Sequence, residues 1–221
     1  VEACSGYSCL LLNDFSIHRM QLETQSPRIY LASRSPRRAE LLQQIGVYFS
    51  IVTADIDETP KAMEQSDAYV KRLAMEKAQA GYTTVLQNAW VEMPVLAADT
   101  TVSIDGEILG KPQDDEDAYR MLSLMSGRWH EVHTGIAVAQ AGHVAMEISS
   151  TMVQMDDLSD AVIRAYIATG EPKDKAGAYG IQGIAGSLIK RIEGSYSGVM
   201  GLPVYETAKL LKQAGIGLLG A

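Results

Sequence analysis

The segment that most restricts the fold of this chain is a β-type run that leads directly into a helix. The run is RIYLAS, residues 28–33, and the helical pattern RSPRRAELLQQIG follows it. Ser35 is a good helix N-cap, Pro36 suits the first helical position, and Gly46 is a suitable stop. A strand, a tight turn and a helix in immediate succession are typical of α/β proteins, in which helices pack on the faces of a sheet.

The same alternation continues along the chain. Residues 47–60 predict a second strand that runs into an acidic loop, and residues 66–81 predict a helix with one apolar side. A strand and hairpin turning at Asp105-Gly106 follow, and then a helix in 114–127. Two strands around Ala141-Gly142 and a helix in 158–170 capped by Ser159 come next. The chain closes with a Gly-rich section that holds loops, a strand and a last helix. Because the alternation has no strict period, the predicted fold class is α/β with a mixed sheet flanked by helices.

Length and composition predict one globular domain. The 221 residues are 47% apolar and 21% charged, which is enough to bury a sizeable core. Residues 1–26 are polar and lack periodicity, so we expect a loosely ordered tail there and a single domain over residues 27–221. No apolar run approaches the ~18 residues of a membrane helix, and the first residues lack the pattern of a signal peptide. We therefore expect a cytoplasmic protein that does not enter the membrane.

Charge and cysteine content exclude several classes of function. The net charge of −8 argues against binding to duplex nucleic acid, which needs a basic surface. A few local cations can still hold one triphosphate in an acidic protein. The only cysteines of the sequence, Cys4 and Cys9, leave no disulfide framework and no cysteine nucleophile in the body of the chain.

Two arginines stand where a helix disfavours cations. Arg37 and Arg38 fall in the first turn of the helix predicted after residue 33, at the positive end of its dipole. A strand–turn–helix start is also an anion site, because its first backbone N–H groups are free. Two guanidinium groups there are typical of a polyphosphate site, although both side chains can also simply point to solvent.

Three further residues are candidates by position. Lys77 falls on the apolar side of its predicted helix, and spacing alone favours a lysine that snorkels out over one that points into a cleft. Asp99 ends the apolar run PVLAAD, where a carboxylate can hold a metal or take a proton from water, or can merely form a turn. Lys111, after the predicted hairpin, can return a cation towards the same strand end.

Other patterns favour no special chemistry. Asp55, Asp57 and Glu58 form an acidic cluster that can supply a second metal ligand, although acidic loops are usually only solvated. His130 and His133 lack zinc-ligand spacing with any cysteine. The run GIQGIAG has no following Lys-Ser/Thr and is not a P-loop.

Seven segments, in order, resemble the Maf (septum-formation inhibitor) family: LASRSPRRAELL, IDET, RLAMEKA, LAADTTV, GEILGKP, DKAGAYGIQG and MGLP. The match as a whole runs from about Arg28 to Lys212, and seven segments in register are highly specific. The resemblance implies a nucleoside triphosphate pyrophosphatase fold, similar to that of inosine-triphosphate pyrophosphatases, with two lobes around a substrate cleft. It also implies dependence on Mg²⁺ or Mn²⁺ and a homodimer.

The resemblance also implies roles for individual residues. Asp99 resembles the base that activates water and, with Glu58, a ligand of the metal. The other implied site residues bind the nucleotide: the cations Arg38, Lys77 and Lys111, the hydroxyl of Ser33, and the three positions that distinguish subgroups, Arg37, Thr100 and Gln182. The combination of arginine, threonine and glutamine at those three positions is similar to that of the dTTP/UTP-hydrolysing subgroup. An amide such as Gln182 can both donate hydrogen bonds to a pyrimidine edge and accept them from it.

Two other functions are compatible with parts of the pattern. The family name points to a non-catalytic regulator of septum formation that senses nucleotide with the same cleft. An inosine-triphosphate-type pyrophosphatase shares the general architecture, but the pyrimidine-type residues argue against it.

Overall fold

The structure, a computed structural model, describes residues 28–218. The predicted tail of residues 1–26 and both cysteines lie outside these residues. Seven strands and six α-helices are present over the described range. The strands are β1 (Ile29–Leu31), β2 (Phe49–Ile51), β3 (Val95–Ile104), β4 (Glu107–Leu109), β5 (Trp129–Gln140), β6 (His143–Met155) and β7 (Ile189–Glu193). The helices are α1 (Pro36–Gln44), α2 (Ser66–Gln87), α3 (Asp115–Met125), α4 (Asp160–Ala168), α5 (Tyr196–Met200) and α6 (Val204–Gln213), with short 3-10 turns between α4 and β7.

All seven strands form one mixed sheet, as the alternation predicts. Its order is β2-β1-β3-β5-β6-β7, and β4 pairs with β3. The β1 strand is parallel to both β2 and β3, whereas the remaining pairs are antiparallel. The two strand pairs predicted around Asp105-Gly106 and Ala141-Gly142 are confirmed as hairpins, with positive φ at all four residues.

One edge of β3 is open in the middle of the sheet. The β1 strand pairs with β3 only at Val95 and Leu96, and β4 pairs with it only from Val102 to Ile104. On that edge, no described strand pairs with residues 97–101, while β5 continues along the other edge. The carbonyl of Leu96 faces β1, so alternation points the backbone groups of Ala98 and Thr100 into the gap. A cleft therefore opens where β1 and β4 leave β3 uncovered.

Helices cover both faces of the sheet and divide the core into two lobes. On one face α2 packs against β3, β5 and β6, and contributes Ala74, Ala78 and Val85 to a buried cluster. On the other face, α1 and α6 pack over one half of the sheet through Leu42 and Leu211. The α3 and α4 helices form a separate cluster with the far end of β3. The two clusters of that face are the cores of the two lobes.

The α2 helix is longer than the sequence predicts. It was expected to end near Gly81, but it continues through that residue to Gln87. Gly81 is a packing glycine, because a Cβ there would lie 3.0 Å from Val95 Cγ1 and 3.1 Å from Ala32 Cβ. Gly135 of β5 is tighter still, since its Cβ would lie 2.5 Å from the backbone oxygen of Val70. Helix and sheet approach closely because only small residues separate them.

Several other local predictions were inaccurate. The strand predicted at the start of residues 47–60 is present but short, Phe49–Ile51, and the predicted acidic loop follows it. Ser35 has the extended backbone of an N-cap, but its side chain makes no capping hydrogen bond. The Gly-rich end contains the predicted strand and last helix, but also the short helix α5.

No helix of the described chain is long and apolar enough to cross a membrane.

Candidate active site

A cavity of about 560 Å³ occupies the cleft beside the open edge of β3. This volume lies in the ordinary range of small-molecule sites. All nine residues that the sequence singled out line it: Ser33, Arg37, Arg38, Glu58, Lys77, Asp99, Thr100, Lys111 and Gln182. They come from α1, α2, β3 and four loops, so the fold assembles one site from positions up to 149 residues apart in sequence.

A carboxylate, an ammonium and a second carboxylate lie at the centre of the cavity. Lys77 Nζ lies 2.7 Å from Asp99 Oδ1 and 3.0 Å from Glu58 Oε1. Asp99 is only 7% exposed. Burial raises the pKa of Asp99, while the nearby charges of Lys77 and Arg38 oppose the shift. The carboxylate therefore has a higher proton affinity than an exposed aspartate, a property that suits a general base.

Spacing alone favoured a snorkelling Lys77, and that prediction was wrong. The close approach of α2 to the sheet places this lysine over β3, where its side chain is 12% exposed. An ammonium held between two carboxylates needs no path to water, so the cleft position is the stable one.

Arg38 is held by three hydrogen bonds along the wall of the cavity. Its Nε donates to the carbonyl of Gly201 at 2.8 Å, Nη1 to Ser33 Oγ at 3.1 Å, and Nη2 to Thr100 Oγ1 at 3.2 Å. Burial lowers the pKa of Arg38, and the Asp99 charge opposes this, but an arginine remains cationic at neutral pH. Of its five N–H donors, one on each terminal nitrogen remains for a ligand.

The first turn of α1 faces the cavity, as predicted. Ser35, Pro36, Arg37 and Arg38 all line it, and Ser33 Oγ accepts a hydrogen bond from the backbone N–H of Ser35 at 3.2 Å. The alternative, with both arginines in solvent, does not hold for Arg38. Cationic side chains and the positive end of a helix dipole thus lie on the same wall, which favours a negatively charged ligand.

The opposite wall is formed by the β4 end and the Gly-rich loop. Lys111 and Gln182 are exposed side chains at its rim. Asp174 reaches across the cleft, with Oδ2 3.7 Å from Arg37 Nη1, and also accepts a hydrogen bond from Lys175 Nζ at 2.7 Å. Lys175 lines the cavity, and the sequence reasoning missed it although it lies within the DKAGAYGIQG segment.

Glu171, a second missed residue, fixes the loop that carries Gln182. Its carboxylate accepts from the backbone N–H of Ile184 at 2.9 Å and from Tyr166 Oη at 2.9 Å. A Cβ at Gly183 would lie 2.5 Å from this carboxylate. Gly183 is therefore required by close packing against Glu171.

Two residues of α2 hold the acidic loop over the cavity. Tyr69 Oη donates to the carbonyl of Glu58 at 2.8 Å, and Arg72 Nη2 donates to the carbonyl of Thr59 at 3.2 Å. Arg72 is fixed in turn by Glu64, at 2.7 Å from its Nε. Asp55 lies apart from the central group and pairs with Arg34. No pattern of the sequence distinguishes Tyr69 and Arg72 from other helix-surface residues.

The histidines are engaged elsewhere. His130 Nε2 lies 2.7 Å from Tyr179 Oη, and burial lowers the pKa of His130 to about 4. His133 Nδ1 lies 2.8 Å from Ser150 Oγ. Within residues 28–218 no group of three or more His, Cys, Asp and Glu side chains is placed so that it could hold a metal ion.

These features define the chain as an α/β protein with a cleft at the open edge of its central strand, lined by Arg38, Lys77 and Lys111. The chain belongs to the Maf-like protein family, whose model matches residues 28–214, so the resemblance read from the seven segments is confirmed.

Curated relatives match nearly their whole length. The chain is 59% identical over 199 residues to a dTTP/UTP pyrophosphatase of Methylobacillus flagellatus, covering 90% of this chain and 98% of that protein. It is 55% identical over 197 residues to a dTTP/UTP pyrophosphatase of Chromobacterium violaceum, covering 89% of this chain and 100% of that one. A solved structure, the Ham1 protein of Staphylococcus aureus, matches with 14% identity and a TM-score of 0.43 over 58% of this chain and 72% of that one.

Proposed function

We propose that this protein hydrolyses dTTP and UTP to the nucleoside monophosphate and pyrophosphate. The observation that carries the proposal is the buried Asp99 carboxylate held by Lys77 within the cavity that also presents Arg38. The names of the relatives from M. flagellatus and C. violaceum support the same reaction and substrates. They do not favour the alternative of a non-catalytic regulator of septum formation.

In the proposed reaction, Asp99 takes a proton from water as the water oxygen attacks the α-phosphorus. The bond from that phosphorus to the oxygen that bridges it to the β-phosphorus breaks, and pyrophosphate leaves with the bridging oxygen. Lys77 stabilises the ionised form of Asp99 before the attack and lies beside the developing charge afterwards. The two remaining donors of Arg38 suit phosphate oxygens, and Lys111 and Ser33 are positioned to assist from the two walls.

The donor set fits a divalent cation, Mg²⁺ or Mn²⁺. Asp99 and Glu58 supply hard carboxylate oxygens, and both approach the same ammonium, so they lie close together. Asp99 and Glu58 would hold such an ion, and with only two protein carboxylates it would also need ligands from water and substrate phosphates, which is the usual mode for Mg²⁺. When bound, the ion neutralises charge on the phosphate oxygens.

The family resemblance links the pyrimidine preference to positions 37, 100 and 182, and of these Gln182 and Arg37 are proposed to read the base itself. Gln182 at the rim offers both a donor and an acceptor, which matches the alternating groups of a uracil or thymine edge. Modified pyrimidine nucleotides with the same edge fit the same pocket. We further propose that residues 27–221 form the catalytic domain and that the protein acts as a cytoplasmic homodimer.

Pyrophosphate release from a panel of nucleoside triphosphates tests the proposal, with Mg²⁺, with Mn²⁺ and with EDTA. We expect metal-dependent release with dTTP and UTP well above GTP and 7-methyl-GTP. Asp99→Asn should reduce the rate by at least 10³-fold, an order of magnitude typical for loss of a catalytic base. Unchanged turnover in Asp99→Asn would remove Asp99 from its role, and absence of release from every nucleotide would refute the function.

A further inference from the structure

A chain of hydroxyl groups runs behind Arg38, away from the cavity. Arg38 Nη2 lies 3.2 Å from Thr100 Oγ1, which lies 2.9 Å from Thr134 Oγ1. Thr134 Oγ1 in turn donates to the carbonyl of Gly198 at 2.8 Å. Thr134 is fully buried on β5, directly opposite Thr100 in the strand register.

The direction of every hydrogen bond in this series follows from its two end groups, the guanidinium of Arg38 and the carbonyl of Gly198. A carbonyl only accepts, so the single hydroxyl hydrogen of Thr134 is used on Gly198. Thr134 must then accept from Thr100, whose own single hydrogen is thereby used. A guanidinium only donates, so Thr100 accepts from Arg38. The bonds all run one way, from Arg38 through the two threonines to Gly198, and such chains polarise and strengthen one another.

The same short helix anchors Arg38 by a second route. The carbonyl of Gly198 lies within α5, and the carbonyl of Gly201, which follows α5, accepts directly from Arg38 Nε at 2.8 Å. The start of α5 is fixed because Ser195 Oγ accepts from the backbone N–H of Gly198 at 3.0 Å. Arg38 is thus held in its rotamer from two sides, and only its two cavity-facing donors stay free.

We propose that Thr100 and Thr134 are positioning residues that fix the guanidinium of Arg38 for the phosphates, and that Thr100 does not donate to the base. This inference deepens the proposed function and rests on it. The hydroxyl hydrogen of Thr100 is already used on Thr134, so none remains for a carbonyl oxygen of a pyrimidine. The base preference implied for Thr100 by the family resemblance therefore belongs to Gln182 and Arg37, and Thr100 acts on phosphate binding through Arg38.

Thr134→Val and Thr134→Ser form a matched pair for the test. Valine keeps the shape of threonine without the hydroxyl, whereas serine keeps the hydroxyl. Binding of inorganic tripolyphosphate, measured by calorimetry, reports the phosphate subsite without any base and without turnover. We expect Thr134→Val to weaken tripolyphosphate binding about tenfold and to raise KM for dTTP and UTP by the same factor, the usual effect of an unpaired buried group. Thr134→Ser should stay within about threefold of the wild type.

Thr100→Val and Gln182→Glu separate phosphate positioning from base reading. We expect Thr100→Val to weaken tripolyphosphate binding and to leave the ratio of kcat/KM for dTTP over CTP unchanged. Gln182→Glu should change that ratio and leave tripolyphosphate binding intact. The inference is overturned if Thr134→Val binds tripolyphosphate like the serine variant, or if Thr100→Val alters the base ratio at unchanged tripolyphosphate affinity. If the wild type hydrolyses no nucleotide, the proposed function is refuted but the positioning role of the two threonines is not. Tripolyphosphate binding still tests that role, because it needs no turnover.

Discussion

Gly135→Ala should both destabilise the protein and impair its active site, because this glycine sets the distance between α2 and the sheet. The added Cβ would lie 2.5 Å from the backbone oxygen and 2.7 Å from the backbone carbon of Val70. Ordinary contact requires the helix to move away by about 1 Å. A helix backbone cannot yield as a side-chain tip can, so we expect a loss of about 2–3 kcal/mol in the free energy of unfolding.

The effect on activity follows from the position of Lys77, two turns further along α2. A helix displaced at Val70 carries Lys77 away from Asp99, which it approaches to 2.7 Å. Misplacement of a catalytic group by about 1 Å can cost up to 10²-fold in rate. We therefore expect kcat/KM for dTTP to fall at least tenfold, together with a drop in Tm of roughly 4–12 °C for a domain of this size.

Gly81→Ala is the matched control on the same interface. Its Cβ would meet side-chain atoms of Val95, Ala32 and Val52 at 3.0–3.2 Å, and alanine is the better helix former. The two effects oppose each other, so Tm should change by less than about 4 °C and kcat/KM by less than about threefold. Thermal unfolding by circular dichroism and pyrophosphate release measure both quantities. The reasoning fails if Gly135→Ala changes Tm and kcat/KM no more than Gly81→Ala does.

Three further predictions concern charge and the Gly-rich loop. Lys77→Met removes a charge that lowers the pKa of Asp99, so the acid limb of the kcat/KM profile for dTTP should move to higher pH, since the base must be ionised. His130 has a folded-state pKa of about 4 against 6.5 unfolded, so its stabilising contribution is complete above pH 6.5 and is lost as pH falls towards 4. The free energy of unfolding in urea should therefore fall less between pH 7 and pH 4.5 in His130→Leu than in the wild type, by up to about 3 kcal/mol. Glu171→Gln turns a donor towards the backbone N–H groups that fix the Gln182 loop, and should lower the preference for dTTP over GTP severalfold in the release assay.

The sequence predicts the fold class because it depends on local patterns, whereas Ser33, Thr100 and Gln182 were expected in the cavity only through the family resemblance. The strand–turn–helix start, the two hairpins and the caps at Asp114 and Ser159 are set by residues adjacent in the chain. Arg37 and Arg38 could be recognised because cations in a first helical turn violate the dipole preference. The sheet order was not predictable in this way, since pairing of β1 between β2 and β3 is decided by contacts across the chain.

The residues that hold the site together carry no such local signal. Thr134 lies in an ordinary run of strand residues, and Tyr69 and Arg72 are ordinary residues of a helical pattern. Glu171 lies outside the resembling segments, three residues before DKAGAYGIQG begins. Each is recognisable only once the chain has folded, because each acts on a partner at least ten residues away: Gly198, Glu58, Thr59 and Ile184.

Lys77 shows why residue spacing gave the wrong answer at the centre of the site. Spacing places it on the apolar side of α2, where a lysine normally bends outward to keep its ammonium group in water. Here the facing residues are Ala97, Ala137 and Gly135, and the helix itself contributes Ala74, Ala78 and Gly81. With so little side-chain volume between them, helix and sheet come close enough for a lysine stem to span the gap along the open edge of β3 and end on Asp99. The small residues thus determine the chemistry as much as the charged ones do, because a bulkier interface would hold the ammonium and the carboxylate apart.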